Sequence, residues 1–138
     1  MITTAAPTRV ARELQLRAAP SELVTARRFV QGAAARFGFD EKESYAFTFA
    51  ANEAVTNAIE HGRPSPEGTI RLYVVEENGA LVFYVEDYGT FAPDAAQLEV
   101  LPARGRGLAF MAAMVDEVEV RQGQSGTVIR LCKHSGSS

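Results

Sequence analysis

The segment that decides the fold is FAANEAVTNAIEHG, residues 49–62. At about 100° per residue, its polar side chains fall on one half of a helical wheel and its apolar side chains on the other. Glu53 and Asn57 lie one turn apart on the polar half and would point the same way. Interior asparagines are poor helix formers, and this face lacks the Lys or Arg partners usual on a solvated helix. Two interpretations follow: a solvated amphipathic surface, or a site whose carboxylate and amide oxygen suit a hard cation and a proton acceptor.

A capping box predicts where this helix begins. Asp40 is followed three residues later by Glu43, a spacing at which the two side chains can satisfy free backbone N–H groups. We therefore predict a helix over residues 41–60, closed by His61 and Gly62.

Two elements are predicted upstream of this helix. Residues 9–18 alternate in part between apolar and polar side chains, which indicates a strand that ends at Pro20. Ser21 is suited to cap a first helix, whose apolar residues recur at helical spacing as far as Gly38, its expected end.

A hairpin is predicted downstream. The apolar runs at residues 68–76 and 80–87 flank Asn78-Gly79, a dipeptide typical of two-residue hairpin turns. Residues 88–104 lack periodicity, and because so long a loop in a small domain is usually functional, we expect a lid that orders over a ligand. The remaining predicted elements are a helix over 105–115 and strands over 117–121 and 127–133.

This order of elements describes an α+β two-layer sandwich, because the strands are joined by hairpins and the helices are left for one face. The length of 138 residues fits one domain. We assign the domain to residues 9–133 and expect residues 1–8 and 134–138 to be flexible tails.

Composition and missing motifs exclude several classes of function. The net charge is −3, so there is no basic excess to bind nucleic acid directly. Cys132 is the only cysteine, which excludes a disulfide framework and a cysteine-built zinc site. The sequence has no P-loop, no H-R-D or D-F-G kinase motif, no H-E-x-x-H and no G-x-S-x-G. It also lacks an apolar run of about 20 residues and a signal pattern, so we expect no membrane contact and a cytoplasmic location.

Glycines open the predicted third helix at Gly105 and Gly107, next to Arg104 and Arg106. Free N–H groups at a helix start, its positive dipole end and two arginines would suit a phosphate. A tight entry from loop to helix explains the same glycines equally well. Two other short motifs, Asp87-Tyr88-Gly89 and Gly126-Thr127, are on their own better explained as turns.

Taken together and in order, these segments resemble the four sequence boxes of GHKL (Bergerat-fold) ATPases. They are EAVTNAIEHG at 53–62, DYG at 87–89, GRGL at 105–108 and GT at 126–127. Within that superfamily they look like the anti-sigma-factor serine kinases of bacteria, the RsbW and SpoIIAB type. The resemblance implies a mixed, mainly antiparallel sheet backed by helices, with ATP and Mg²⁺ bound between the helices and a lid.

The resemblance also implies roles at the base and metal end of the site. Asn57 would hold Mg²⁺ through its side-chain oxygen, since this ion keeps waters and phosphate oxygens as its other ligands. Asp87 would accept a hydrogen bond from the adenine amino group, Gly89 would let the backbone approach the base, and Thr127 would lie near it.

At the phosphate end, the resemblance implies that Gly105 and Gly107 present backbone amides, with Arg104 or Arg106 adding charge. Glu53 would be the catalytic base that takes a proton from an attacking serine hydroxyl. Phosphoryl transfer depends mainly on positioning and charge neutralisation, so it does not require a lysine here.

Three functions fit these features. The first is a protein-serine kinase and anti-sigma factor that sequesters a sigma factor and phosphorylates a STAS-type anti-anti-sigma antagonist, with a homodimer expected from the family. The second is a kinase of another partner-switching circuit that binds no sigma factor. The third is a nucleotide-binding regulatory module without catalysis, which Glu53 opposes but Phe91, in place of a second glycine, leaves open.

Overall fold

A computed structural model describes residues 9–62, 68–88, 105–123 and 126–136 of the chain. The elements follow the predicted order. They are β1 (Arg9–Arg17), a 3₁₀ turn (Pro20–Glu22), α1 (Leu23–Phe37), α2 (Glu41–His61), β2 (Thr69–Glu77), β3 (Ala80–Asp87), α3 (Gly105–Met114), β4 (Glu117–Gly123) and β5 (Gly126–His134).

The capping box at the start of α2 is confirmed. The N–H of Glu43 donates to Asp40 Oδ1 at 2.7 Å, and the N–H of Asp40 donates to Glu43 Oε1 at 2.8 Å. The second carboxylate oxygen of Glu43 accepts from the N–H of Gly136 at 2.9 Å. One local motif therefore fixes the start of the longest helix and also holds the chain beyond β5.

The predicted cap of α1 is wrong. Ser21 lies inside the 3₁₀ turn that Pro20 starts, and Glu22 occupies the N-cap position of α1 without a side-chain cap hydrogen bond. Proline fits the first position of such a turn because its missing N–H would be unpaired there anyway. The predicted end is confirmed: Gly38 has φ of 102°, and its N–H donates to the carbonyls of the last helical turn.

Five strands form one sheet in the order β1-β2-β3-β5-β4, and each pairing among the described strands is antiparallel. Asn78 and Gly79 join β2 to β3 with φ of 46° and 80°, the positive values that a type I′ hairpin turn needs. Because β5 pairs antiparallel with β3, the end of β3 lies beside the beginning of β5, at one end of these two inner strands.

The helices pack on one face of this sheet, so the predicted α+β two-layer architecture is confirmed. The main hydrophobic cluster joins buried residues of α1, α2 and α3 to alternate residues of the strands. Its largest fully buried side chains are Phe47, Phe83, Ile70, Leu72, Leu81, Met111 and Leu131.

The opposite face of the sheet carries a polar and aromatic network. Arg71 donates to Glu13 Oε2 at 2.6 Å and to Glu86 Oε1 at 3.1 Å, and its guanidinium lies 4.4 Å from the centre of the Tyr73 ring. Tyr73 stacks on Tyr84 at 4.7 Å and donates to Glu86. Tyr73 and Tyr84 also pack against a smaller apolar cluster of Val75, Ala80, Val82 and Cys132.

Residues 134–136 make hydrogen bonds, although the sequence predicts that they belong to a flexible tail. His134 is the last residue of β5, and its N–H donates to Asp116 Oδ2 at 2.7 Å. The N–H of Ser135 donates to the carbonyl of Gly79 at 3.3 Å. The limits of the domain stay a prediction. Within the described ranges, no helix has the length and apolar character needed to cross a membrane.

Candidate functional site

The first part of the candidate site lies at the end of the inner strand β3. Asp87 is the last residue of β3 and pairs with Thr127 of β5 in the ladder. Their exposed fractions are only 6% and 7%. Thr127 Oγ1 has no hydrogen-bond partner among the described residues. A buried carboxylate next to an unpaired hydroxyl can accept a hydrogen bond from an N–H group and offer the hydroxyl as a second contact.

Two glycines bring other backbone segments against Asp87. Gly62, at the end of α2, has no side chain where a Cβ would lie 2.6 Å from Asp87 Cγ. Gly126, at the start of β5, has φ of 135°, and a Cβ there would contact the Asp87 carbonyl. The end of α2, the end of β3 and the start of β5 therefore converge on one carboxylate.

The second part of the site is the polar face of α2. The predicted division of this helix is confirmed, because Ala51, Ala54 and Val55 are fully buried while Glu53 and Asn57 are half-buried. Glu53 and Asn57 lie one turn apart on a helix that then runs to Gly62 beside Asp87. One helix thus connects the predicted catalytic base, Glu53, and the predicted metal ligand, Asn57, to the Asp87 carboxylate at the end of β3.

Asn52 and Thr48 belong to the same helix, but sequence reasoning assigned them no role. Asn52 Oδ1 and Thr48 Oγ1 are buried and have no hydrogen-bond partner among the described residues. Thr56 Oγ1 donates to the Asn52 carbonyl at 2.8 Å, so the backbone acceptor of Asn52 is used while its side-chain acceptor is not. The available signal was an asparagine in a helix interior, which costs helix stability without a compensating contact.

The third part of the site is the predicted phosphate-binding motif at the start of α3, a helix that packs along α2. The rings of Phe49 and Phe110 meet edge to face at 6.4 Å, and Met111 is fully buried. As predicted, α3 starts at Gly105, with Arg106 and Gly107 next in its first turn. Gly89, Arg104 and nearly all of the predicted lid lie outside the described residues.

The chemistry of the donor set fits ATP and Mg²⁺. Among the described residues, no group of three or more His, Cys, Asp or Glu side chains could hold a metal ion alone. Magnesium commonly takes only one or two protein oxygens and completes its shell with phosphates and water, which a single amide such as Asn57 allows. The buried Asp87 and the unpaired Thr127 hydroxyl suit a base that carries an amino group.

Comparison with known proteins gives the same picture. The family described as "Histidine kinase-like ATPase domain" matches residues 16–133. The serine-protein kinase RsbW of Bacillus pumilus is 28% identical over 137 residues, which cover 88% of this chain and 83% of that protein. The anti-sigma F factor of Geobacillus kaustophilus is 34% identical over 97 residues, which cover 63% of this chain and 66% of that protein.

Solved structures share the fold. A Mycobacterium tuberculosis chain with RsbU and RsbW domains superposes with a TM-score of 0.68 at 23% identity, over 90% of this chain and 32% of that chain. The histidine kinase domain of a blue-light-activated kinase from Erythrobacter litoralis gives 0.55 at 18% identity, over 81% of this chain and 60% of that chain.

Proposed function

The chain belongs to the histidine kinase-like ATPase domain family, and from this membership we propose an ATP-dependent protein-serine kinase that is also an anti-sigma factor. Relatives named serine-protein kinase RsbW and anti-sigma F factor support both halves of the proposal. The observation that carries it is the junction at Gly62, where the helix that holds Glu53 and Asn57 meets the buried Asp87.

We assign recognition of the adenine base to the paired ends of β3 and β5. The carboxylate of Asp87 accepts a hydrogen bond from the adenine amino group, and the Thr127 hydroxyl provides a second contact near the base. Both groups are buried, so a hydrogen bond made there is not weakened by competition with water. Gly89 would let the backbone approach the ring.

We assign the phosphates to the start of α3. The first N–H groups of a helix have no acceptor within that helix. Those of Gly105 and Gly107, in the first turn of α3, would therefore suit phosphate oxygens. Arg104 and Arg106 would add charge-assisted hydrogen bonds. Bound Mg²⁺, held by the Asn57 side-chain oxygen and by phosphate oxygens, would neutralise part of the triphosphate charge.

Glu53 acts as general base in the transfer. The serine oxygen of the protein substrate attacks the γ-phosphorus while its proton passes to the Glu53 carboxylate. The bond from the γ-phosphorus to the bridging β,γ-oxygen breaks, and its electron pair leaves with ADP. The protein's contribution is to hold the hydroxyl, the base and the phosphates in line and to stabilise the charge.

The proposed partners are a sigma factor, which the protein sequesters, and a STAS-type anti-anti-sigma antagonist, which it phosphorylates on serine. We also propose that the protein acts as a homodimer in the cytoplasm, where sigma factors meet RNA polymerase. Phosphorylation of the antagonist would release it from the kinase and leave the kinase free to hold the sigma factor.

Transfer of radiolabelled γ-phosphate from ATP to the genetically linked antagonist tests the enzymatic half of the proposal. Wild-type protein should label the antagonist on serine. Glu53→Gln should bind ATP normally but transfer phosphate about 10²- to 10⁴-fold more slowly, the usual cost of losing a general base. Glu41→Gln is a matched control, because Glu41 is exposed in the first turn of the same helix.

The outcomes separate the three candidate functions. If wild-type protein binds ATP and the antagonist without transfer, the protein is a regulatory module and not a kinase. If it transfers phosphate but no sigma factor co-purifies or binds in a pull-down, it belongs to another partner-switching circuit. If Glu53→Gln transfers at the wild-type rate, the kinase stands and the base is another group.

A further inference from the structure

Gly62 occupies a position where the space for a side chain is already filled. A methyl group on its Cα would lie 2.7 Å from the Ala58 carbonyl oxygen and 2.6 Å from Asp87 Cγ, and it would contact Asp87 Oδ2. Carbon atoms without a bond between them pack at about 3.5–4.0 Å. A side chain at this position therefore requires that the Asp87 carboxylate or the end of α2 move.

The backbone of Gly62 does not itself need glycine. Its φ of −86° and ψ of −174° lie in the extended region that any L-residue adopts. Gly38, at the end of α1, is the opposite case: its φ of 102° favours glycine, and no atom lies within 4 Å of a Cβ built there. Glycine is therefore favoured at Gly38 by the backbone conformation, and at Gly62 by the lack of space for a side chain beside Asp87.

The carboxylate of Asp87 has little freedom to avoid a new neighbour. Asp87 is 6% exposed and forms the end of β3, where its backbone is fixed by the ladder to β5. On the β5 side, Gly126 packs so closely that a Cβ there would contact the Asp87 carbonyl. A displacement at Gly62 would therefore turn the carboxylate, since the backbone that carries it cannot shift freely.

From these contacts we infer that Gly62 is a positioning residue, which fixes the orientation of the Asp87 carboxylate and so sets the preference for a base with a 6-amino group. The inference rests on the proposed function, in which Asp87 accepts from the adenine amino group. It adds that the C-terminus of α2 controls base selectivity, although Gly62 has no side chain to touch the nucleotide.

The test compares the binding of ATP with that of purine riboside triphosphate, which lacks the 6-amino group. In wild-type protein, ATP should bind about 10- to 100-fold more tightly, the value of one hydrogen bond to a charged group. Asp87→Ala and Gly62→Ala should each bring the ratio of the two dissociation constants close to one. Gly32→Ala is the matched control, because the nearest atom to its Cβ is Arg36 Nη2 at an ordinary 3.6 Å.

A purely structural role for Gly62 would weaken both nucleotides equally and keep their ratio. If Asp87→Ala abolishes the preference and Gly62→Ala keeps it, the inference is wrong and the proposed adenine contact stands. If Asp87→Ala keeps the preference, the adenine contact is wrong, and the inference is overturned with it.

The double variant Gly62→Ala/Asp87→Ala covers the case in which Gly62→Ala does not fold. If the Asp87 carboxylate is the obstacle, shortening it should restore part of the stability lost in Gly62→Ala, and the two changes should be non-additive. Additive losses of stability would show that the new methyl group acts on the helix end alone, which would overturn the inference.

Discussion

Asp87 and Thr127 face each other across the β3–β5 ladder, and both are buried although each carries a polar group. The Thr127 hydroxyl has no hydrogen-bond partner among the described residues. A buried hydroxyl without a partner costs the ligand-free protein folding free energy, and a bound ligand can supply the missing partner.

Thr127→Val should separate stability from binding. Removing an unpaired buried hydroxyl with little change of shape should leave the free energy of unfolding unchanged or slightly raised. ATP affinity should fall about 2- to 10-fold, the value of one neutral hydrogen bond. Urea denaturation and calorimetric ATP titration measure the two quantities, with the exposed Thr25→Val as control. Equal ATP affinity in Thr127→Val and wild type would exclude a contact with the nucleotide.

Asn57→Ala should remove the magnesium-dependent part of ATP affinity. The side chain is half-buried on the polar face of α2 and contributes little to the core, so the fold should be retained. ATP titrations with Mg²⁺ and with a chelator would show a large difference in wild type and almost none in the variant. A difference of the same size in both proteins would mean that another oxygen holds the metal.

Asp40→Ala should destabilise the protein by about 1 kcal/mol without changing ATP affinity. The change removes the acceptor for the Glu43 N–H at the start of α2, and loss of an N-cap side chain typically costs this amount. The midpoint of urea denaturation measures the effect. Gln31→Ala, an exposed change within α1, is the control. An unchanged midpoint in Asp40→Ala would show that the capping box contributes nothing to stability.

The ion pair between Glu13 and Arg71 should make stability depend on pH in the acid range. The hydrogen bond from Arg71 holds the pKa of the Glu13 carboxyl below its ordinary value of 4.5. A folded-state pKa below the unfolded one contributes stability that is present above pH 4.5 and is lost as the pH falls through the lower value.

Glu13→Gln should therefore be less stable than wild type at neutral pH, and the difference should shrink as Glu13 becomes protonated. Urea denaturation across the acid range measures both proteins. High salt should reduce the difference, because Glu13 is partly exposed. A constant difference at all pH values would mean that packing, and not the carboxylate charge, is responsible.

Elements set by neighbouring residues were predictable from the sequence. Asp40 and Glu43 are three positions apart, and Asn78-Gly79 is a dipeptide, so each motif contains all the information that its geometry needs. The prediction that Ser21 caps α1 failed because two local signals compete. Pro20, directly before Ser21, starts a 3₁₀ turn at the place where the cap was expected.

Relationships between distant parts of the chain were not predictable from local pattern. The place of β5 between β3 and β4 depends on how whole strands pack, and no residue within them encodes it. The contact of Gly62 with Asp87 depends in turn on that packing. The family resemblance assigned these residues to one site, and only the structure shows that Asp87 leaves no space for a side chain at Gly62.

The strand order also has a consequence for how the protein folds. The β2–β3 pair and the β4–β5 pair are local hairpins, and the β3–β5 seam joins them through residues distant in sequence. Such seams form slowly, because the chain entropy of closing a long loop is lost before any contact is gained. Asp87 and Thr127 belong to different hairpins, so neither hairpin alone would complete the proposed base site. Nucleotide should therefore protect the protein mainly by slowing its unfolding, with little effect on the rate at which it folds.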